Sequence, residues 1–356
     1  MNRLKNNDDS RRNLIIGLVV VLVLVAGIFT IGPNLGGQSA TGDVLVYGSV
    51  DAEDLQPAID AFEAKNPEAN IEYVRGSPPE VYSRITTELG AGQKSADMVL
   101  LSFPGTLSLV DDGLTMAFSP SEASNYPADL KDSNGHWYSV LLLGQVITYN
   151  TNLVSEDELP TQLSDLTDPK WNGMITMHDY SRGSTSTRIW ATLAEGELGS
   201  DKVIQFLTDL EANVNPVLQR STGAQVDEVV RGEYAIGIVG QLHDVVKAKM
   251  DGAPVEILHL EDFPVMWGPT AGVILESSAN AEGAEAFINF LMSEEGQIII
   301  GNVDVRFAAL PDVADETKHT FDSALPEDTR TMRYPNDEAR SNHADWTAKF
   351  KEIAGA

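Results

Sequence analysis

Residues 43–101 read DVLVYGSVDAEDLQPAIDAFEAKNPEANIEYVRGSPPEVYSRITTELGAGQKSADMVLL, and their pattern alternates between two periods. Val44-Leu45-Val46-Tyr47 is a short apolar run of the kind buried in a sheet. Asp51 then caps a segment whose Leu55, Ile59 and Phe62 fall on one helical face. Ile71 to Val74 predicts a second strand, and Ser77-Pro78-Pro79-Glu80 is a capping box with proline at the first helical position. Val81, Ile85 and Leu89 continue that helix until Gly90 stops it, and Met98 to Leu101 predicts a third strand. Strand, helix, strand, helix, strand specifies an α/β fold with a parallel sheet covered by helices.

A second block of this kind follows the irregular stretch Ser119 to Gly135. It has expected strands at Val146 to Tyr149, Met174 to Met177 and Ala235 to Val239, and helices near Thr185 to Leu193, Asp201 to Leu210 and Gln225 to Arg231. Two α/β units of similar size imply two lobes. With 356 residues, 42% of them hydrophobic, the chain has material for both cores.

Upstream, Leu14 to Ile31 carries no charge and is long enough to span a bilayer as a helix. Arg3, Lys5, Arg11 and Arg12 precede it and no Lys or Arg follows until Lys65, so the N-terminus is expected in the cytoplasm and the rest outside. The expected organisation is a basic leader at 1–12, a transmembrane anchor at 13–32 and a Gly/Ser-rich linker at 33–42. A cleaved signal peptide is the alternative to an anchor, since residues 38–42 are small or polar. With no cysteine, lipid attachment through a lipobox, disulfides and thiol catalysis are excluded. The net charge of −29 disfavours nucleic acid and anionic lipid as partners.

Enzyme signatures are missing. Residues 90–95 (GAGQKS) look like a P-loop tail, but Gln93 stands where lysine must follow Gly92; there is no Gly-x-Ser-x-Gly and no His-Glu-x-x-His. Three loops at expected helix entrances supply hydroxyls and glycine-permitted amides, the arrangement that favours anions. They are Gly48-Ser49-Val50-Asp51, residues 179–186 (DYSRGSTS) and Arg220-Ser221-Thr222-Gly223. Ordinary capping is the alternative for each.

Several segments in order resemble the ferric-iron-binding-protein branch of the type II periplasmic binding proteins, the family 1 solute-binding components of ABC importers. They are Val44 to Ser49, Ser95-Ala96-Asp97-Met98-Val99, Ile147 to Leu153, Asp168-Pro169-Lys170-Trp171-Asn172-Gly173, Pro269-Thr270-Ala271-Gly272-Val273, and Glu282 to Gln297 (EGAEAFINFLMSEEGQ). The resemblance implies a two-lobed fold with a hinge-bounded cleft. Lobe 1 is expected at 43–127 and 268–356 and lobe 2 at 128–267, with crossings near Ala128 to His136 and Pro264 to Val273. It further implies an extracytoplasmic, monomeric, non-enzymatic receptor with no cofactor, partnered by permease subunits. A sensory ectodomain on the same fold is the alternative.

The expected ligand contacts are Ser49, Asp51, Ser102, Tyr180, Ser181, Arg182, Gly183, Ser184, Thr185, Ser221, Thr222, Gln241 and His243, with the Ser181 to Ser186 segment as the main second-lobe contact. The solute is expected to be anionic or metal-chelating: iron(III) or an iron complex, a phosphonate, an organic phosphate or a carboxylate. The family's adjacent tyrosine pair falls on Gln241-Leu242 here, its first-loop histidine near Asp51 and its glutamate near Ser102, so phenolate ligation of iron is not expected. A different metal set from His178, Asp179, Tyr180, Asp51 and His243 competes with a packing role for His178. Trp267, Phe103 and Trp137 are either a stacking wall or core.

Overall fold

The structure is a computed structural model that describes residues 41–355 except 304, 318–319, 326–327 and 336. The expected leader, anchor and most of the linker lie outside these residues. Among the described residues no helix is long and apolar enough to cross a membrane.

The strands are β1 (Gly42–Gly48), β2 (Ala69–Arg75), β3 (Met98–Ser102), β4 (Thr115–Met116), β5 (Tyr138–Asn150), β6 (Ile175–His178), β7 (Val217–Gln219), β8 (Ile236–Gln241), β9 (Val255–Leu258), β10 (Val265–Leu275), β11 (Phe307–Ala308) and β12 (Thr331–Arg333). The helices are α1 (Ala52–Lys65), α2 (Pro78–Gly90), α3 (Phe103–Asp111), α4 (Thr185–Glu195), α5 (Ser200–Asn213), α6 (Thr222–Val230), α7 (Leu242–Met250), α8 (Ala281–Met292), α9 (Glu294–Asn302), α10 (Asp337–Ser341) and α11 (His343–Ile353). The capping box at Ser77 and Glu80 opens α2 as the spacing predicts.

The sheet runs β2-β1-β3-β10-β5-β8-β6-β7. β2, β1 and β3 are parallel, as are β8, β6 and β7, while β10 and β5 form an antiparallel pair that joins the two triplets. This is a mixed α/β, two-lobed architecture. β5 is much longer than expected. Its N-terminal part pairs with β10 from Tyr138 to Gln145 and its C-terminal part with β8 from Gln145 to Tyr149, so one strand serves both lobes.

Alternation along the strands builds a core on each face. Val44 and Val46 pack with Leu55, Ile59 and Phe62 of α1 and Phe287 and Leu291 of α8. Tyr47, Val99 and Leu101 face the other way, onto Val81 and Ile85 of α2 and Leu107 of α3. In the second lobe Ile175, Met177 and Ile238 pack with Ile189, Trp190 and Leu193 of α4. Trp346 and Phe350 enter that same core, so residues 337–353 bury their apolar face on the second lobe and reach the first, where the expected division places them, through the Arg340–Asp111 pair. The reason is visible in their contacts: Trp346 and Phe350 share one face of α11, and Asn342 and the Trp346 indole both donate to Glu195 at 2.8 Å.

Candidate functional site

Strands that lead into helices include β1 before α1, β3 before α3, β6 before α4, β7 before α6 and β8 before α7. The first turns of these helices carry unpaired N–H groups and the positive end of the helix dipole. Side chains tie the crossing strand to β8, and one lobe to the other, here. The Gln145 amide on β5 donates to Gln241 Oε1 at 3.1 Å. Arg306 joins α1 to α7, and Arg188 of α4 reaches Ser108 of α3 at 3.4 Å.

At the β1 end, Ser49 donates its amide to Leu100 O at 3.0 Å. Gly48 is required by close approach, because a Cβ there would stand 2.6 Å from the Tyr73 hydroxyl. That hydroxyl donates to Val50 O at 2.6 Å and closes the turn. Asp51, half-exposed, pairs with Arg75 at 3.1 Å and Arg306 at 3.4 Å. Ser102 stands at the N-cap of α3 without making a capping bond, leaving its hydroxyl uncommitted to the helix.

Across the cleft, Arg306 donates to Asp54 and to His243 Nε2, the latter at 2.8 Å. A guanidinium is always a donor, so Nε2 must be the acceptor, and burial together with the Arg306 charge lowers the His243 pKa to about 3. Asp244 beside it is pushed up to about 6, chiefly by burial, with Asp227, Asp51 and Asp54 adding to the rise and Arg306 opposing it. Ser221 caps α6 by accepting from Ala224 N at 3.4 Å, and Thr222 follows it, half-buried. Val239 has φ 66°, a left-handed backbone that costs a β-branched residue about 1–3 kcal/mol. It sits at a bulge where Val146 pairs with Gly240 and Ile147 with Ile238, two residues before Gln241.

The segment expected to be the main contact is largely spent on itself. Tyr180 is 0% exposed and donates to Glu211 Oε1 at 2.6 Å, so its phenol lies in the lobe core and not in the cleft. Ser181 donates both its amide and its hydroxyl to Asp179 Oδ1, and Arg182 pairs with Asp179 Oδ2 at 2.6 Å. Ser184 donates to Asp179 O at 2.5 Å and accepts from Thr187 N, which makes it a helix cap. Gly183 (φ 68°) and half-buried Thr185 remain at the helix entrance. The conceivable metal set is divided: His178, with its pKa lowered to about 4 chiefly by burial, hydrogen-bonds the Arg220 backbone, while Asp51 and His243 converge on Arg306. Among the described residues no group of three or more His, Asp or Glu is placed to hold a metal ion. Phe103 and Trp137 meet edge-on at 4.8 Å inside the first-lobe core, beneath the Arg333 guanidinium.

Arg188, Arg306 and Gln145 are the site residues that sequence patterns did not reveal. Arg306 is 252 positions from Asp54, and a partnership so distant leaves no local signature.

Paired lobes, a shared two-strand crossing and helix starts joined across the lobes by Arg306 are the architecture of a cleft binding protein. Residues 57–327 match the family of bacterial extracellular solute-binding proteins, and the chain belongs to that family. It is 23% identical over 254 residues to "Iron uptake protein A1" of Synechocystis sp., covering 68% of this chain and 69% of that one. Iron-bound HitA from Pseudomonas aeruginosa superimposes with a TM-score of 0.71 at 20% identity, covering 88% of this chain and 99% of that one. AfuA from Actinobacillus pleuropneumoniae, solved with fructose-6-phosphate bound, gives 0.70 at 20% identity, covering 87% and 97%.

Proposed function

We propose that this chain is the extracytoplasmic solute receptor of an ABC importer, closing its lobes about the β5–β10 pair around a small anionic or metal-chelating solute and catalysing nothing. The observation that carries this is the Arg306 link between the first turn of α1 and the start of α7, which brings one helix N-terminus from each lobe together, where fixed N–H donors favour an anion despite the acidic surface. The lobes we assign are residues 43–141 with α8 and α9, and residues 146–264 joined by 337–353, with the middle of β5 and β10 crossing between them. Ser49, Asp51, Ser102, Gly183, Thr185, Ser221, Thr222, Gln241 and His243 are the expected residues that stay in reach of a solute.

The relatives named for iron, and the one holding a sugar phosphate, support an iron complex or an organic anion as cargo. A bare ferric ion is disfavoured because Gln241-Leu242 replaces a tyrosine pair, and because burial raises the pKa of Tyr73 and keeps its phenol neutral. Solute favours the closed form only through its differential contacts with that form. The full chain in detergent is to be titrated with ferric chloride, ferric citrate, phosphonates, sugar phosphates and carboxylates. One class should raise the melting temperature with concentration, by about 2.7 kcal/mol of stabilisation at 100 times Kd, and shrink the radius of gyration. No tyrosinate charge-transfer band should accompany ferric citrate. Failure of every class to alter melting or compactness overturns the receptor role.

We further propose that residues 14–31 remain as an uncleaved anchor, on the strength of the basic leader before an uncharged run. Protease added outside intact cells should remove the domain and leave a membrane-bound N-terminal fragment. Protection of the domain, or a mature chain starting near residue 40, contradicts this.

A further inference from the structure

Arg188 lies in the first turn of α4, and its side chain leans toward the helix N-terminus as helical geometry requires. It is 7% exposed. Its Nη2 donates to Ser108 Oγ at 3.4 Å, a long bond to a neutral group, and its buried Nε has no partner among the described residues. Asp111, the carboxylate whose charge acts on Arg188, is committed to Arg340. Burial lowers the Arg188 pKa to about 10, with the Arg340 charge adding to the fall and Asp111 opposing it. On the α4 side, His343 backs onto Gly183, with its pKa lowered to about 4 by burial first and then by the charge of Arg188. It is therefore neutral and adds no second positive charge beside Arg188.

A buried cation without a carboxylate partner is costly, and folded proteins pair such groups or give them up. Here the unpaired N–H stands at the contact between α3 of one lobe and α4 of the other, next to the α4 N-terminus. Both features favour the same thing, an oxyanion.

We propose that Arg188 is the anion receptor of the cleft: a carboxylate, phosphonate or phosphate group of the solute accepts from Arg188 and from the first turn of α4, with Ser108 Oγ, which donates to Pro104 O at 3.1 Å in the solute-free chain, turning to donate from the opposite lobe. This rests on the solute-receptor role and gives it a substrate class, an organic or inorganic oxyanion. The solute thereby supplies the counter-charge that the apo chain lacks, and it bridges α3 to α4 in the closed form. Arginine is suited to this because its planar fork holds two oxygens at once.

The test uses the full chain in detergent, with inorganic phosphate and citrate as separate probes at constant ionic strength, read by calorimetry and thermal melting. Wild type should bind at least one probe saturably; phosphate alone points to the free ion, citrate alone to an organic anion. Arg188→Met should weaken that binding at least 100-fold while the apo melting temperature stays level or rises, since an unpaired buried charge has been removed. Arg188→Lys should retain part of the affinity. Should Arg188→Met bind within threefold of wild type, or melt lower with affinity unchanged, Arg188 is only a structural tie. Should neither probe bind wild type while another solute still closes the lobes, the anion subsite is wrong and the receptor role survives.

Discussion

Replacing Gln297 with leucine is expected to remove a large part of the stability of the first lobe, although the substitution is buried, apolar and nearly isosteric. Gln297 is 0% exposed in the first turn of α9. Its Nε2 donates to Val140 O at 2.9 Å and Leu291 O at 2.7 Å, and its Oε1 accepts from Ala309 N at 2.7 Å and Leu310 N at 3.0 Å. One side chain therefore ties β5, the end of α8 and the segment after β11. Leucine leaves four backbone groups without these partners, each costing about 1–3 kcal/mol if it stays dry. Allowing for partial relaxation, the loss is about 4 kcal/mol or more, against the roughly 5–15 kcal/mol of a typical fold. Urea unfolding of the full chain in detergent measures this directly. A midpoint close to wild type contradicts the role assigned to Gln297.

Gln297 closes one of the segments that carry the family resemblance, and Asp97 belongs to another. Asp97 Oδ1 accepts from Ser278 Oγ, Ala279 N and Asn280 N, while Oδ2 accepts from Leu45 N, so the Ala-Asp-Met strand also fastens the turn before α8. These residues are legible because fixed backbone donors demand a particular side chain at a particular spacing. The Ser77 and Glu80 capping box is legible for the same reason.

The crossing strand was only half legible. Val146 to Tyr149 reads as a strand by its apolar run, whereas the earlier half of β5 is broken by Gly144 and Gln145. It becomes a strand through β10 on one side and β11 along Leu141 and Leu142. The cleft was the least legible part. Hydroxyls at residues 181–186 were sound evidence of a helix entrance, but Asp179 and Thr187 take up those of Ser181 and Ser184. The groups that link the lobes are single arginines brought in by tertiary structure, and an isolated arginine in a charged sequence has no distinguishing pattern.

Arg306→Met should lose about 3–5 kcal/mol near pH 7.5, because it breaks a largely buried ion pair by removing only the cation. The Arg306 side chain is 13% exposed and that of Asp54 11%, and both Nε and Nη2 donate to the same Asp54 oxygen. The loss should shrink as pH falls. Asp244 shows the sign: burial first, then nearby carboxylates, raise its pKa to about 6, above the roughly 3.9 of an unfolded chain, and Arg306 is what restrains it. A carboxyl whose folded pKa is raised contributes stability that is fully present below the unfolded value and is lost as pH rises through the folded one. Without Arg306 that rise becomes larger, so the charged form near pH 7.5 is penalised more than in wild type. His243 moves in the same sense, since burial and Arg306 together hold its pKa down to about 3. Once the guanidinium is gone, His243 takes up a proton at higher pH and supplies a cation beside Asp244, 3.3 Å away. Unfolding measured at pH 5 and pH 7.5 should therefore show a wide gap from wild type at the higher pH and a narrow one at the lower. Because Arg306 also joins α1 of one lobe to α7 of the other, the solute-free variant should have a larger radius of gyration than wild type. A gap independent of pH, with unchanged dimensions, would mean that Arg306 neither restrains Asp244 nor ties the lobes.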